Sequence, residues 1–208
     1  MQYEIEQITI QPGLHCFFSC LYNIAAFYGI PLRESEIFFL CNGLDCFYRD
    51  EDQNLYHRLY FDSYEELSHL FSRELAVEIT VGYDLKHRYY FDALCKALQK
   101  KNPVMLMVDP GILTYHPLEE RIENSCHCII AHGIDTSSGQ FRIGDSYVVD
   151  AKGNVTTYTG PFPLETLRNG TYGFAWFDVG RYQPYPQAKI FHRVAENLER
   201  FLENREEA

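Results

Sequence analysis

From Cys16 onward the chain places Phe17, Leu21, Ile24 and Tyr28 at helical spacing. Gly29 and Pro31 then stop the pattern, so a helix is predicted over Cys16–Tyr28. A second, short helix is predicted over Glu34–Leu40, ending near Asn42-Gly43. Leu44 to Asp62 mixes polar and aromatic residues with no clean period and reads as an irregular excursion. Ser63-Tyr-Glu-Glu66 has the form of a capping box and opens a helix through about Leu75, followed by a strand over Ala76–Tyr83. Tyr89–Lys101 reads as another helix, closed by Asn102-Pro103.

Beyond Pro103 the character changes. Val104-Met-Leu-Met-Val108 is a continuous apolar run of strand length, and His127–Ile134 is a second. Gln140–Ile143 is a third, joined to the second by the turn-like Thr136-Ser-Ser-Gly139. Val155–Tyr158 and Tyr172–Val179 complete an antiparallel sheet, and Gln187–Glu206 is an acidic amphipathic helix. A helical first half and a sheet-rich second half make an α+β fold. The expectation is one domain over residues 1–208, with the amphipathic helix at about 187–206.

Composition narrows the function classes. With 46% hydrophobic residues and 15% aromatics, the chain has material for a core, which excludes disorder as its main state. Its formal charge of −11, with no basic run, argues against nucleic acid as a partner. No stretch approaches the ~20 apolar residues that span a bilayer, and Met1–Ile10 lacks the positive region of a secretory signal. The expectation is therefore a cytoplasmic protein without a membrane partner. Its seven cysteines, at 16, 20, 41, 46, 95, 126 and 128, are then free thiols.

Cys16 lies in Pro12-Gly-Leu-His-Cys16, at the first turn of the predicted helix. A helix N-terminus favours a thiolate and offers N–H groups to an oxyanion, although a free cysteine also serves as a small core residue. His127 opens the apolar strand Cys128-Ile-Ile-Ala131, where a polar group needs a reason to be present. Antiparallel pairing back from the Ser137-Ser138 turn can bring Asp145 within its reach. Taken singly, each is ordinary: a core histidine, a turn aspartate. Together they are the parts of a Cys-His-Asp triad, in which the histidine activates the thiol and the acid orients the imidazole. Cys126-His127-Cys128 offers three zinc donors, but adjacent strand residues point to opposite faces, so no metal site is expected. On the same alternation His132 is structural.

These residues resemble a known family. Gly13-Leu-His-Cys16 with its helix, Gly29, Glu34-Ser-Glu36 and Asn42-Gly43 is similar to the N-terminal domain of butirosin biosynthesis protein H. Pro103-Val, Asp109, His127-Cys-Ile-Ile-Ala-His-Gly-Ile-Asp135 and Gly144-Asp145 fit its second half, so the likeness covers roughly residues 10 to 180. The wider group is papain-like and includes bacteriocin-leader peptidases. The resemblance implies a papain-like fold, with the cysteine in the helical half and the histidine and aspartate on the sheet. It further implies an acyltransferase that forms an amide bond in thiotemplated nonribosomal biosynthesis, a group that includes closthioamide assembly.

Carried over, Cys16 is the nucleophile, His127 the base and Asp145 the orienting acid. The acyl donor is a phosphopantetheine thioester on an acyl or peptidyl carrier protein, the acceptor is a small amine such as a diamine, and no cofactor is required. Related peptidases place a glutamine ahead of the cysteine in the oxyanion hole; Gln11, five positions before Cys16, is the nearest here, with the Cys16 N–H as the other donor. His15, Asp45 and Tyr48 are candidate substrate contacts. Phe47, Tyr56, Tyr60 and Phe61 are candidates to cover the site, Asp50 and Glu51 to hold a distal cation, and Lys86, His87 and Arg88 to dock a carrier. A cysteine peptidase or thioester hydrolase is the nearest alternative, and a catalytically inactive binding module the second. The leader peptidases usually precede membrane and ATPase segments, and the sequence has neither a transmembrane run nor a phosphate loop, which favours a stand-alone enzyme. The oligomeric state is open.

Overall fold

The structure, a computed structural model, describes residues 2–45, 47–48, 59–60, 63–83, 89–116, 126–150, 152–179, 182 and 185–206. The chain opens with β1 (Gln2–Glu4) and reaches α1 (Cys16–Phe27). Gly29, at φ 72°, takes the left-handed conformation that ends this helix at little steric cost. One-faced spacing predicts a helix half open to water. Instead Cys16 to Leu21 and Asn23 to Ala25 are all buried, because α1 is packed between α2 (Glu34–Leu40) and the sheet.

Two residues each of β2 (Phe47–Tyr48) and β3 (Leu59–Tyr60) pair within the stretch expected to be irregular. Asp50, Glu51, Tyr56 and Phe61 lie outside the described residues, as do Cys46, Lys86, His87 and Arg88. α3 (Tyr64–Leu75) is N-capped by Ser63, whose hydroxyl accepts the Glu66 N–H (3.2 Å), one half of the expected capping box. Ala76 ends α3 at φ 53°, so the next strand, β4 (Glu78–Tyr83), starts two residues later than expected. α4 (Tyr89–Gln99) follows, and Lys101, at φ 60°, lies beyond it.

β5 (Val104–Val108), β6 (His127–Asp135), β7 (Gln140–Val149), β8 (Val155–Pro163) and β9 (Thr171–Asp178) complete an antiparallel sheet in the order β4-β9-β5-β6-β7-β8. β1 pairs with the second half of β6 on the edge whose first half β5 occupies. β7 and β8 run further than their apolar runs suggest. β8 carries Gly160, Pro161 and Pro163, which read as breakers, but it is an edge strand, where a missing N–H can face outward. α5 (Leu164–Asn169) and α6 (Gln187–Glu206) complete the chain.

Side chains alternate across the sheet into two apolar layers. Met105, Met107, Cys128 and Ile130 meet α1, α2 and α3. Val104, Leu106, Val108, Ile129 and Ala131 meet α4 and α5. Helices thus cover both faces, which is why the central β5 is apolar at every position. α6 is tied to the α2 side: Arg193 pairs with Glu74 (3.4 Å), Asn197 donates to the Phe39 carbonyl (3.2 Å), and Arg200 pairs with Asp45 (3.2 Å). The fold is α+β, as expected. No helix among the described residues is long and apolar enough to cross a membrane.

Candidate active site

The first turn of α1 is aimed by a set of clamps. His15 is its N-cap, and the His15 Nδ1 accepts the Phe17 N–H (3.3 Å). The Glu34 carboxylate accepts the backbone N–H groups of Leu14 and His15, each at 3.0 Å. The Gly13 N–H donates to the Ser146 carbonyl (2.9 Å), and the Ser19 and Ser146 hydroxyls are 2.7 Å apart. Gly13 is required here: a Cβ would stand 2.2 Å from the Ser19 Cβ. Gly144 is required for a similar reason, because the Ile10 side chain passes where its Cβ would be, at 2.3 Å.

β6 and β7 end their pairing at Ile130–Gly144, and His127 and Asp145 lie just beyond that last pair. The β7–β8 register shifts between Asp145 and Val148, a bulge that re-aims the side chains there. The fully buried Asp145 accepts the His127 Nε2–H at 2.9 Å and the Tyr115 hydroxyl at 3.1 Å on one oxygen. Its other oxygen accepts the Tyr147 N–H at 2.9 Å. With Nε2 committed to Asp145, Nδ1 is the His127 nitrogen available to the thiol.

Cys16 is 7% exposed. A hydrogen bond with the Cys128 thiol holds it well below the ordinary thiol value; burial opposes this, and the hydrogen bond and charge of His127 and the charge of His15 reinforce it. Burial alone would depress His127, but the charge and hydrogen bond of Asp145, together with Cys16, push it up to about 10. The opposite shifts favour a thiolate beside an imidazolium. Such a pair can attack an acyl carbon and return the proton to a leaving group. Cys20, one turn along α1, is raised by burial and by the charges of Cys16 and Asp145, and remains a thiol.

Of the candidates read from the sequence, Cys16, His127, Asp145 and His15 come together. Gln11 is held elsewhere: its side-chain oxygen accepts the Tyr22 hydroxyl (2.9 Å) and its backbone is paired with Asn23, both on the second turn of α1. Asp45 is engaged by Arg200. Tyr48 lies in β2, and its side chain is outside the described residues. Cys128 is more than a neighbour of His127, because it is the largest influence lowering Cys16. Among the described residues no group of three His, Cys, Asp or Glu side chains could hold a metal ion. His132 is buried, and among the described residues neither ring nitrogen has a hydrogen-bond partner.

Residues 15–146 match the family described as butirosin biosynthesis protein H, N-terminal. The chain belongs to that family. No curated protein matches it. In this member of the butirosin protein H family, the matched span contains Cys16, His127, Asp145 and both serines that join α1 to β7. Sequence reasoning did not single out Tyr64, Tyr115, His116, Ser19, Ser146 or the clamping role of Glu34. His116 lies edge-on to His127, with ring centres 5.5 Å apart. Glu34 carried a signal in its place at the start of a helix; the others depend on approaches across more than 40 residues or on packing that no local pattern encodes.

Proposed function

We propose that the protein is a cysteine acyltransferase that forms an amide bond through an acyl-enzyme on Cys16, with a papain-like arrangement of its reacting groups. Family membership supports a biosynthetic enzyme of acyltransferase type. The observation that carries the reading is His127 held at 2.9 Å by the buried Asp145, beside a Cys16 thiol shifted down at the first turn of α1.

The thiolate attacks the carbonyl of an acyl thioester, and the carrier thiol leaves with the proton from His127. An amine then attacks the acyl-enzyme, His127 takes up the amine proton, and the amide departs as Cys16 returns to thiolate. The donor in this reading is a phosphopantetheine thioester on an acyl or peptidyl carrier protein, and the acceptor is a small amine. The cycle as written uses no metal or organic cofactor. Burial of Cys16 among Phe17, Phe18 and Tyr64 favours transfer over hydrolysis, because it limits the access of water to the acyl-enzyme.

Intact-protein mass spectrometry with a panel of acyl thioesters tests this. The expected result is an acyl adduct on Cys16 that persists in buffer and disappears when an amine is added, with amide formed in equal amount. Discharge to water at the same rate with or without amine would make the protein a thioester hydrolase. Turnover that survives Cys16→Ala or His127→Ala would overturn the assignment of roles.

A further inference from the structure

The Tyr64 hydroxyl stands 3.8 Å from the Cys16 sulfur, and among the described residues it has no other hydrogen-bond partner. The side chain is fixed from several directions. Its ring stacks on Phe17, with centres 4.7 Å apart and planes 13° from parallel, and the His15 ring meets it edge-on at 6.5 Å. Its backbone begins α3, where the Ser63 cap and a hydrogen bond from the Ser68 hydroxyl to the Tyr64 carbonyl hold the turn.

Burial, together with the neighbouring thiols of Cys16, Cys128 and Cys126, pushes the Tyr64 phenol up, so it stays protonated and can only be a useful donor. Other donors near the nucleophile are committed. The N–H groups of Leu14 and His15 go to Glu34 and that of Phe17 goes to His15, while the Gln11 side chain is held by its oxygen, which accepts the Tyr22 hydroxyl. Among the described residues the Cys16 N–H has no acceptor.

We infer that Tyr64 supplies the side-chain donor of an oxyanion hole at Cys16, beside the Cys16 N–H and in place of a glutamine. This rests on the acyl chemistry proposed for Cys16. When the sulfur bonds to an acyl carbon, the carbonyl oxygen is two bonds from that sulfur. A hydroxyl already in contact with the sulfur can then reach that oxygen at about 2.7–3.1 Å, where such donors act. The hydrogen bond passes from thiolate to oxyanion as charge moves from sulfur to oxygen, without reorganisation of the site.

Tyr64→Phe keeps the stacked ring and removes only the hydroxyl. Two reactions of Cys16 separate the roles: acylation by p-nitrophenyl acetate, which passes through an oxyanion, and alkylation by iodoacetamide, which does not. The expected result is a fall of about 100-fold in acylation rate, with alkylation within about threefold of the parent and its pH profile little moved. Equal falls in both would overturn the inference and leave Tyr64 a group that only stabilises the thiolate. An unchanged acylation rate would overturn it outright, as would a parent protein that is alkylated at Cys16 but not acylated. p-Nitrophenyl acetate probes the oxyanion hole whatever the natural donor, so failure of carrier thioesters in the preceding experiment would leave this result standing.

Discussion

Replacing Asp145 by Asn removes a buried charge but keeps the size of the side chain and an oxygen for the Tyr147 N–H. Asp145 is the strongest influence raising His127 against the opposing effect of burial, and His127 stands at about 10 against an ordinary 6.5. That difference is about 3.5 units, or roughly 5 kcal/mol in favour of the imidazolium at about 1.4 kcal/mol per unit. A raised histidine value contributes stability below the unfolded value near 6.5, and that contribution is lost as pH rises through about 10. In Asp145→Asn, burial is left with only Cys16 to oppose it, so His127 becomes neutral near pH 7 and the thiolate loses its counter-ion. The assay is the rate of Cys16 alkylation by iodoacetamide across pH 5 to 10, with the histidine followed by NMR. The parent should stay reactive to low pH, and the variant should require a pH at least about 2 units higher, with a rate at pH 6 about tenfold lower or less. Superimposable profiles would refute the reasoning. They would mean that Cys128 and the N-terminus of α1 hold the thiolate unaided.

The remaining predictions concern the frame around the site. Gly13→Ala forces a Cβ to within 2.2 Å of the Ser19 Cβ, and should lower stability by about 1–3 kcal/mol in urea denaturation. Glu34→Ala leaves the Leu14 and His15 N–H groups without their carboxylate; a loss of about 1–2 kcal/mol and slower Cys16 alkylation are expected, from denaturation and mass spectrometry respectively. Burial holds His132 below the usual imidazole value, so stability should fall as pH drops below about 6.5, where the unfolded chain takes up a proton that the folded chain resists. His132→Met should reduce the change in urea midpoint between about pH 7.5 and pH 5.5, and an unchanged difference would assign the acid sensitivity elsewhere.

Strongly patterned elements were legible from the chain alone. The apolar run of β5 and the punctuation by Gly29 and by Asn102-Pro103 mark real boundaries, because burial on both faces and backbone conformation act locally. Ala76 misleads because it adjoins the run that forms β4, while its φ of 53° makes it the end of α3. β8 misleads because its prolines are acceptable only on an edge, and edge position is a property of the whole sheet. The approach of Asp145 to His127 could be counted from the β6–β7 turn, and the two meet at 2.9 Å. Tyr64 could not be found in this way: its hydroxyl reaches Cys16 from 48 residues away through helix packing, with no shared strand register to count along. Gln11 shows the converse: it is the nearest glutamine ahead of Cys16 in the chain, yet its side-chain oxygen accepts the Tyr22 hydroxyl.

The Ser19–Ser146 contact joins positions 127 residues apart in the chain. It locks the helix that bears Cys16 to the strand that bears Asp145, so the alignment of the two depends on a closure between distant parts of the chain. A chain emerging from the ribosome displays Cys16 early but acquires Asp145 late, and in that interval Cys16 is expected to react as an ordinary thiol. Appearance of fast alkylation at Cys16 during refolding would then serve as a clock for completion of the fold.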